Sequence, residues 1–143
     1  MPLPFLISCS LPAVGLHELS DGRFQLIASG PIAPLMSGFR YLLVEQPLAA
    51  FLADQGLERV RQEPVILFNR STNEELRSHV RLHVGQFFQP SQLLDVTLDG
   101  LRLLALNDEF YFVSPELKSL LEASTFHYLR FSEGLSEFAG DLP

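Results

Sequence analysis

A chain of 143 residues that is 47% apolar and 19% charged has material for one well-buried core. That composition excludes a disordered tail, a collagen-like chain and a coiled coil. The net charge of −7 is uneven: residues 1–94 carry eight acids and seven bases, whereas residues 95–143 carry nine acids and three bases. A field of that sign repels nucleic acid and anionic lipid and favours a basic protein partner. The single cysteine, Cys9, allows no intrachain disulfide and reads as a small buried apolar residue in a reducing, cytoplasmic setting. One globular domain over 1–143 is expected.

Phe5 to Ser8 reads as an entry strand; Pro4 and Pro12 interrupt the apolar start, which lacks the positive region of a signal peptide. Arg23–Ala28 reads as a strand entered through Asp21-Gly22, and Ser29–Met36 as a loop. Phe39–Val44 reads as a buried strand. Leu48, Phe51 and Leu52 then recur at helical spacing, with Pro47 at the first turn and Gly56 past the end, so Pro47–Gln55 is a predicted helix. Val65–Phe68 reads as the next strand. In Arg77–Val84 the alternation places Val80, Leu82 and Val84 on one face and His79, Arg81 and His83 on the solvent face. Thr97–Arg102 reads as a hairpin turning at Asp99-Gly100. Phe110–Val113 reads as a strand, and Ser114-Pro115-Glu116 as a capped helix start before Leu117, Leu120 and Leu121. Phe126–Phe131 is the last predicted strand, and Glu133–Phe138 adds a helical turn. No run of about 18 apolar residues predicts a membrane helix.

A repeat at an offset of 69 residues aligns Leu42–Leu48 with Tyr111–Leu117, Phe51-Leu52 with Leu120-Leu121, and Val60 with Leu129. The pseudo-repeats cover about 40–70 and 109–135, each reading strand, short helix, turn, strand. The expected fold is α+β: a largely antiparallel sheet with two or three short helices built on this duplicated strand–helix–strand unit. Its expected core is Phe5, Leu26, Leu43, Val44, Leu48, Phe51, Leu52, Val80, Leu82, Leu103, Phe112, Val113, Leu117, Leu120, Leu121 and Leu129.

No motif specifies a reaction. His79 and His83, four apart on a strand, stand about 13 Å apart and cannot share one zinc ion. Cys9 lacks a neighbouring base, no serine sits in a Gly-x-Ser-x-Gly turn, and no glycine-rich phosphate loop is present. No cofactor, metal or catalytic residue is predicted. Phe87-Phe88, between Gln86 and Gln89, stands out, because adjacent strand residues face opposite ways and one ring is then available as a binding anchor.

The repeated unit resembles a family of small bacterial immunity proteins of polymorphic toxin systems, with their pattern Val-Ser-x-x-Leu-x-x-Leu-Leu after an apolar strand. Val113-Ser114-Pro115-Glu116-Leu117-Lys118-Ser119-Leu120-Leu121 matches it, followed by Phe126–Phe131. The first copy, Val44-Glu45-Gln46-Pro47-Leu48 with Phe51-Leu52 and Gly56-Leu57, departs at Glu45, where the pattern has serine. The second has Thr125 where a turn glycine is expected, and the chain has no tryptophan. The resemblance implies an inhibitor that occludes the active site of a cognate toxin.

A toxin site that acts on an anionic substrate is basic, so the acidic third supplies the expected face: Asp95, Asp99, Asp108, Glu109, Glu133, Glu137 and Asp141, with Phe87 or Phe88 as anchor. The other readings are a structural or adaptor module, and a small-ligand-binding domain or enzyme whose site only the fold assembles.

Overall fold

The computed structural model describes residues 2–136. Among them are thirteen strands: β1 (Phe5–Cys9), β2 (Leu16–Glu18), β3 (Phe24–Leu26), β4 (Leu35–Gly38), β5 (Tyr41–Glu45), β6 (Val60–Pro64), β7 (Leu67–Asn69), β8 (Glu74–Leu76), β9 (His79–Val84), β10 (Phe87–Phe88), β11 (Leu103–Leu106), β12 (Phe110–Val113) and β13 (Leu129–Glu133). Helices α1 (Gln46–Asp54) and α2 (Pro115–Glu122) follow β5 and β12. The fold is α+β, 39% strand against 16% helix, in three mostly antiparallel sheets. No described helix is long and apolar enough to cross a membrane.

Two of the sheets share one plan. The first has the order β4-β5-β9-β6; the second has β11-β12-β1-β13, with β10 added outside β11. β5 and β12, α1 and α2, and β6 and β13 each begin 69 residues apart. The ladders agree as well. Arg61 of β6 stands opposite His83 of β9, and Arg130 of β13 stands opposite Ser8 of β1. So β1 fills in the second unit the place β9 fills in the first. The chain's first strand therefore completes its last unit.

Pro at the start of each helix fixes φ where no intrahelical N–H bond is lost, and Gly56 (φ +65°) takes the left-handed position after α1. Each unit turns one face to a shared core. β5 supplies Leu42 and Val44, β12 supplies Tyr111 and Val113, β9 and β1 supply Leu82 and Ile7, and the helices supply Leu48, Leu52, Leu117 and Leu121. The opposite faces are covered separately. Leu43 packs under the third sheet, β2-β3-β7-β8, with Leu16, Phe24 and Leu67. Phe112, Leu104 and Leu106 pack under the segment carrying Phe88 and Leu98. Burial on both faces explains why β5, β11 and β12 read as continuous apolar runs.

Several expectations are corrected. The predicted loop Ser29–Met36 runs into β4 (Leu35–Gly38), and Phe39-Arg40, predicted to open the next strand, is the turn of the β4–β5 hairpin, where Arg40 takes φ +66°. The predicted Thr97–Arg102 hairpin does not form. Instead, the Ser114 hydroxyl donates to Gly100 O and accepts the Arg102 N–H, and the Arg102 guanidinium donates to Asp99 O, holding 99–102 as an irregular connection. Val65-Ile66 links β6 to β7, whose strand runs to Asn69, and the last strand is Leu129–Glu133 rather than Phe126–Phe131. Glu133 thus ends a strand, and the rest of the predicted turn beyond 136 lies outside the described residues. His79 is buried rather than solvent-facing, because the segment carrying Ala33 covers it and its Nε2 meets the Ala33 carbonyl. Phe5, Phe51, Val80 and Leu120 are half-buried at the core margin, whereas Phe24, Leu67 and Leu104 are fully buried.

Ser114 is fully buried and also accepts the Leu117 N–H as the cap of α2. Ser114→Ala leaves Gly100 O and the Arg102 N–H without that partner. It should lower the unfolding free energy by about 1–3 kcal/mol in denaturant titration. The exposed Ser119→Ala on the same helix should stay within about 0.5 kcal/mol.

Candidate partner-binding face

The strand β10 runs parallel to the end of β11, pairing Phe87 with Ala105 and Phe88 with Leu106. Phe88 is 3% exposed and meets Phe112 edge-on, with ring centroids 5.1 Å apart. It is therefore a core residue, which corrects its place among the candidate anchors. Phe87, on the opposite side of the strand, is 61% exposed. Its ring borders a shallow cleft of about 270 Å³ with Gln89, Gln92, Asn107 and Asp108. Asn107 and Asp108 both have positive φ in the β11–β12 turn, a conformation that short polar side chains tolerate.

Phe87 and Asp108 also border a second cavity of about 140 Å³, together with Arg40, Arg81, His83 and Tyr111. It lies where the two units meet: the Arg40 N–H donates to Asp108 O, joining the β4–β5 turn to the β11–β12 turn. The Arg40 guanidinium stands 3.9 Å from the Asp108 carboxylate. Both groups are solvated, so this pair contributes about 0–1 kcal/mol and leaves the carboxylate available. Burial pushes the Tyr111 hydroxyl up to about 12, so it remains a hydrogen-bond donor at neutral pH.

Asp95 adjoins the cleft, its N–H donating to Gln92 O, and Glu109 follows Asp108 in the turn. Both are exposed and make no ion pair among the described residues. Asp99 and Glu133 are elsewhere. β12 leads from the Asp108 turn to Val113, Val113 pairs with Phe5, and Phe5 pairs with Glu133. Glu133 therefore sits at the far end and far edge of the sheet. Asp99 belongs to that far end too, where its carboxylate stands 3.8 Å from Arg102. Glu137 and Asp141 lie outside the described residues. Of the predicted face, the fold gathers Phe87, Asp95, Asp108 and Glu109. The side-chain amides of Gln89 and Gln92 complete the cleft; the only sequence signal for them was the glutamine flanking the phenylalanine pair.

The two strand histidines differ. His83 donates from Nε2 to the Glu63 carboxylate across 3.0 Å, and that hydrogen bond holds the Glu63 carboxyl below its ordinary value. His79 is 5% exposed, with Nε2 2.8 Å from Ala33 O and Nδ1 2.8 Å from the Ser78 hydroxyl. The neutral ring then donates from Nε2 and accepts at Nδ1. Among the described residues no three His, Cys, Asp or Glu side chains group to hold a metal ion. No protein-family model, curated protein or solved structure matches this chain.

Burial pushes the His79 pKa down, only partly offset by the Ala33 carbonyl and the charge of Glu45. The unfolded chain, with an imidazole near 6.5, takes up the proton first. Stability from this group is therefore full above about pH 6.5 and is lost as pH falls toward the lowered folded value. His79→Gln should give a shallower fall in stability between pH 7 and pH 5, measured by denaturant titration at each pH.

Proposed function

We propose that this chain is an inhibitor of the immunity-protein kind, which binds a cognate toxin domain and occludes a basic active site. The observation that carries the reading is the exposed Phe87 ring beside the Asp108 carboxylate in one cleft, with Asp95 and Glu109 adjoining. Tight protein complexes need an aromatic anchor that becomes desolvated, and charges at its rim that steer the encounter. An arginine or lysine of the partner fits this arrangement, its stem against the Phe87 face and its charge on Asp108. The repeat pattern around Ser114 supports the same reading through its resemblance to that family. Asp99 and Glu133 lie away from this contact, so the working face is smaller than the acidic third as a whole.

The test uses the full chain and the product of the neighbouring reading frame, with binding followed by biolayer interferometry. Nanomolar affinity is expected, corresponding to about −12 kcal/mol. Phe87→Ala should weaken binding at least 30-fold, mainly through faster dissociation. Asp108→Asn, which keeps a side chain suited to positive φ, with Glu109→Lys should slow association, more so at low salt, and leave the melting temperature within a few degrees. Ile27→Ala, on the third-sheet side and 66% exposed, should change nothing. Full binding by the Phe87 and the charge-altered variants overturns this face. The absence of any complex overturns the inhibitor reading itself.

A further inference from the structure

On the first unit's edge the charge reverses. Arg59, Val60, Arg61, His83, Val84 and Gly85 line an open cleft of about 350 Å³. Arg61 and His83 stand directly opposite each other on β6 and β9, so their side chains leave the same face of the sheet. Arg59 is fixed beside them with φ +59°, its carbonyl accepting the Gly85 N–H at 2.7 Å. A Cβ at Gly85 would lie 3.1 Å from that carbonyl, so glycine permits the approach that holds Arg59.

Most other cations around the molecule are committed, although Arg70, exposed after β7, makes no ion pair among the described residues. Arg23, Arg40, Arg77, Arg81, Arg102 and Lys118 each have a carboxylate within ion-pairing distance. Arg59 and Arg61 make no ion pair among the described residues, in a chain whose net charge is −7. Glu63 lies close by: one carboxylate oxygen stands 3.0 Å from His83 Nε2, and the charges of Arg61 and Arg81 help hold the group ionised. That contact holds the imidazole on the face it shares with Arg61.

The second unit supplies an internal comparison. The positions equivalent to Arg59, Arg61 and His83 are Tyr128, Arg130 and Ser8. There Tyr128 donates to Glu45, and the Arg130 guanidinium donates to His127 O and Leu129 O. The scaffold thus fills these positions with one cation, bound to its own turn. Two free guanidinia and an imidazole are a property of the first unit, beyond what the shared plan requires.

We propose that this cleft binds a phosphate group, free or as a monoester, between Arg59, Arg61 and His83. Two guanidinium forks match the several acceptor oxygens of a phosphate, with the His83 ring alongside. Val60 and Val84, which also border the cleft, pair on the opposite face of the sheet and pack against the shared core. The site borders the Phe87 face at His83 and Val84, which line both cavities, whereas Arg59 and Arg61 line this cleft and not that one.

The test is NMR titration of the full chain with inorganic phosphate and with phenyl phosphate, each at constant ionic strength against chloride. Saturable shifts at the His83 ring and at the Arg59 and Arg61 side chains are expected. Arg61→Gln, an exposed strand position, should weaken binding at least tenfold, and so should Arg59→Asn, which tolerates positive φ. Arg130→Gln and Phe87→Ala should leave it unchanged. Tighter binding of phenyl phosphate identifies a monoester as the preferred form, and equal binding identifies the phosphate group itself. Shifts reproduced by chloride, undiminished binding by Arg61→Gln, or an equal loss in Arg130→Gln would overturn the proposal.

Discussion

Neither four-stranded unit can shelter its inner face alone. α1 and α2 are too short to cover four strands each, so Leu42, Val44 and Leu82 of one unit share a core with Tyr111, Val113 and Ile7 of the other. Burial of apolar surface at roughly 25 cal/mol per Å² is the dominant favourable contribution here, and it is realised only when the two units meet. Closure by β1 strengthens this dependence. The strand that finishes the second sheet precedes the whole of the first, so the second unit is incomplete until the chain ends have come together. Such long-range pairing costs loop entropy before contacts form.

The same meeting accounts for the polar differences between the units. Ser114 and Glu45 occupy equivalent positions, each just before a helix with proline in its first turn. Ser114 caps α2 and ties down Gly100 and Arg102. Glu45 makes no side-chain cap; its carboxylate accepts the Tyr128 hydroxyl at 2.6 Å, bridging to the second unit. Burial, reinforced by that carboxylate, pushes the Tyr128 pKa upward, so the phenol keeps the proton it donates. The departure at Glu45 from the family-like pattern therefore has a structural reason. One position serves its own helix and its equivalent serves the neighbouring unit.

Where the units join, their hairpin turns also come together, and the surface features concentrate beside that seam. The Arg40 N–H reaches Asp108 O, Arg81 reaches both Glu18 and Arg40 O, and Phe87 projects beside them. Acidic character with an aromatic anchor lies on the β10–β11 side; the free guanidinia lie at the β6 edge. One small protein thereby presents an acidic, aromatic surface and an arginine-rich one.

The fold class, both helices and the 69-residue repeat were legible because they depend on local spacing: Pro47 and Pro115 at helix starts, leucines at helical intervals, and apolar strands before them. The exposed Phe87 and buried Phe88 followed in kind from strand alternation, though only packing against Phe112 chose which was which. Other features had no local signal. His79 reads as a solvent-facing residue by alternation, but it is buried against Ala33, forty-six residues away in the chain. The Asp99-Gly100 pair has the sequence of a hairpin turn, but the buried Ser114 hydroxyl, fourteen residues on, captures Gly100 O instead. The acidic third reads as one surface, yet its residues lie at both ends of a sheet, because strand order and register, not sequence distance, decide which side chains meet. Sequence fixes what each segment can be on its own. Which face is covered, which edge is paired and which charges become neighbours are decided only when distant segments share a core.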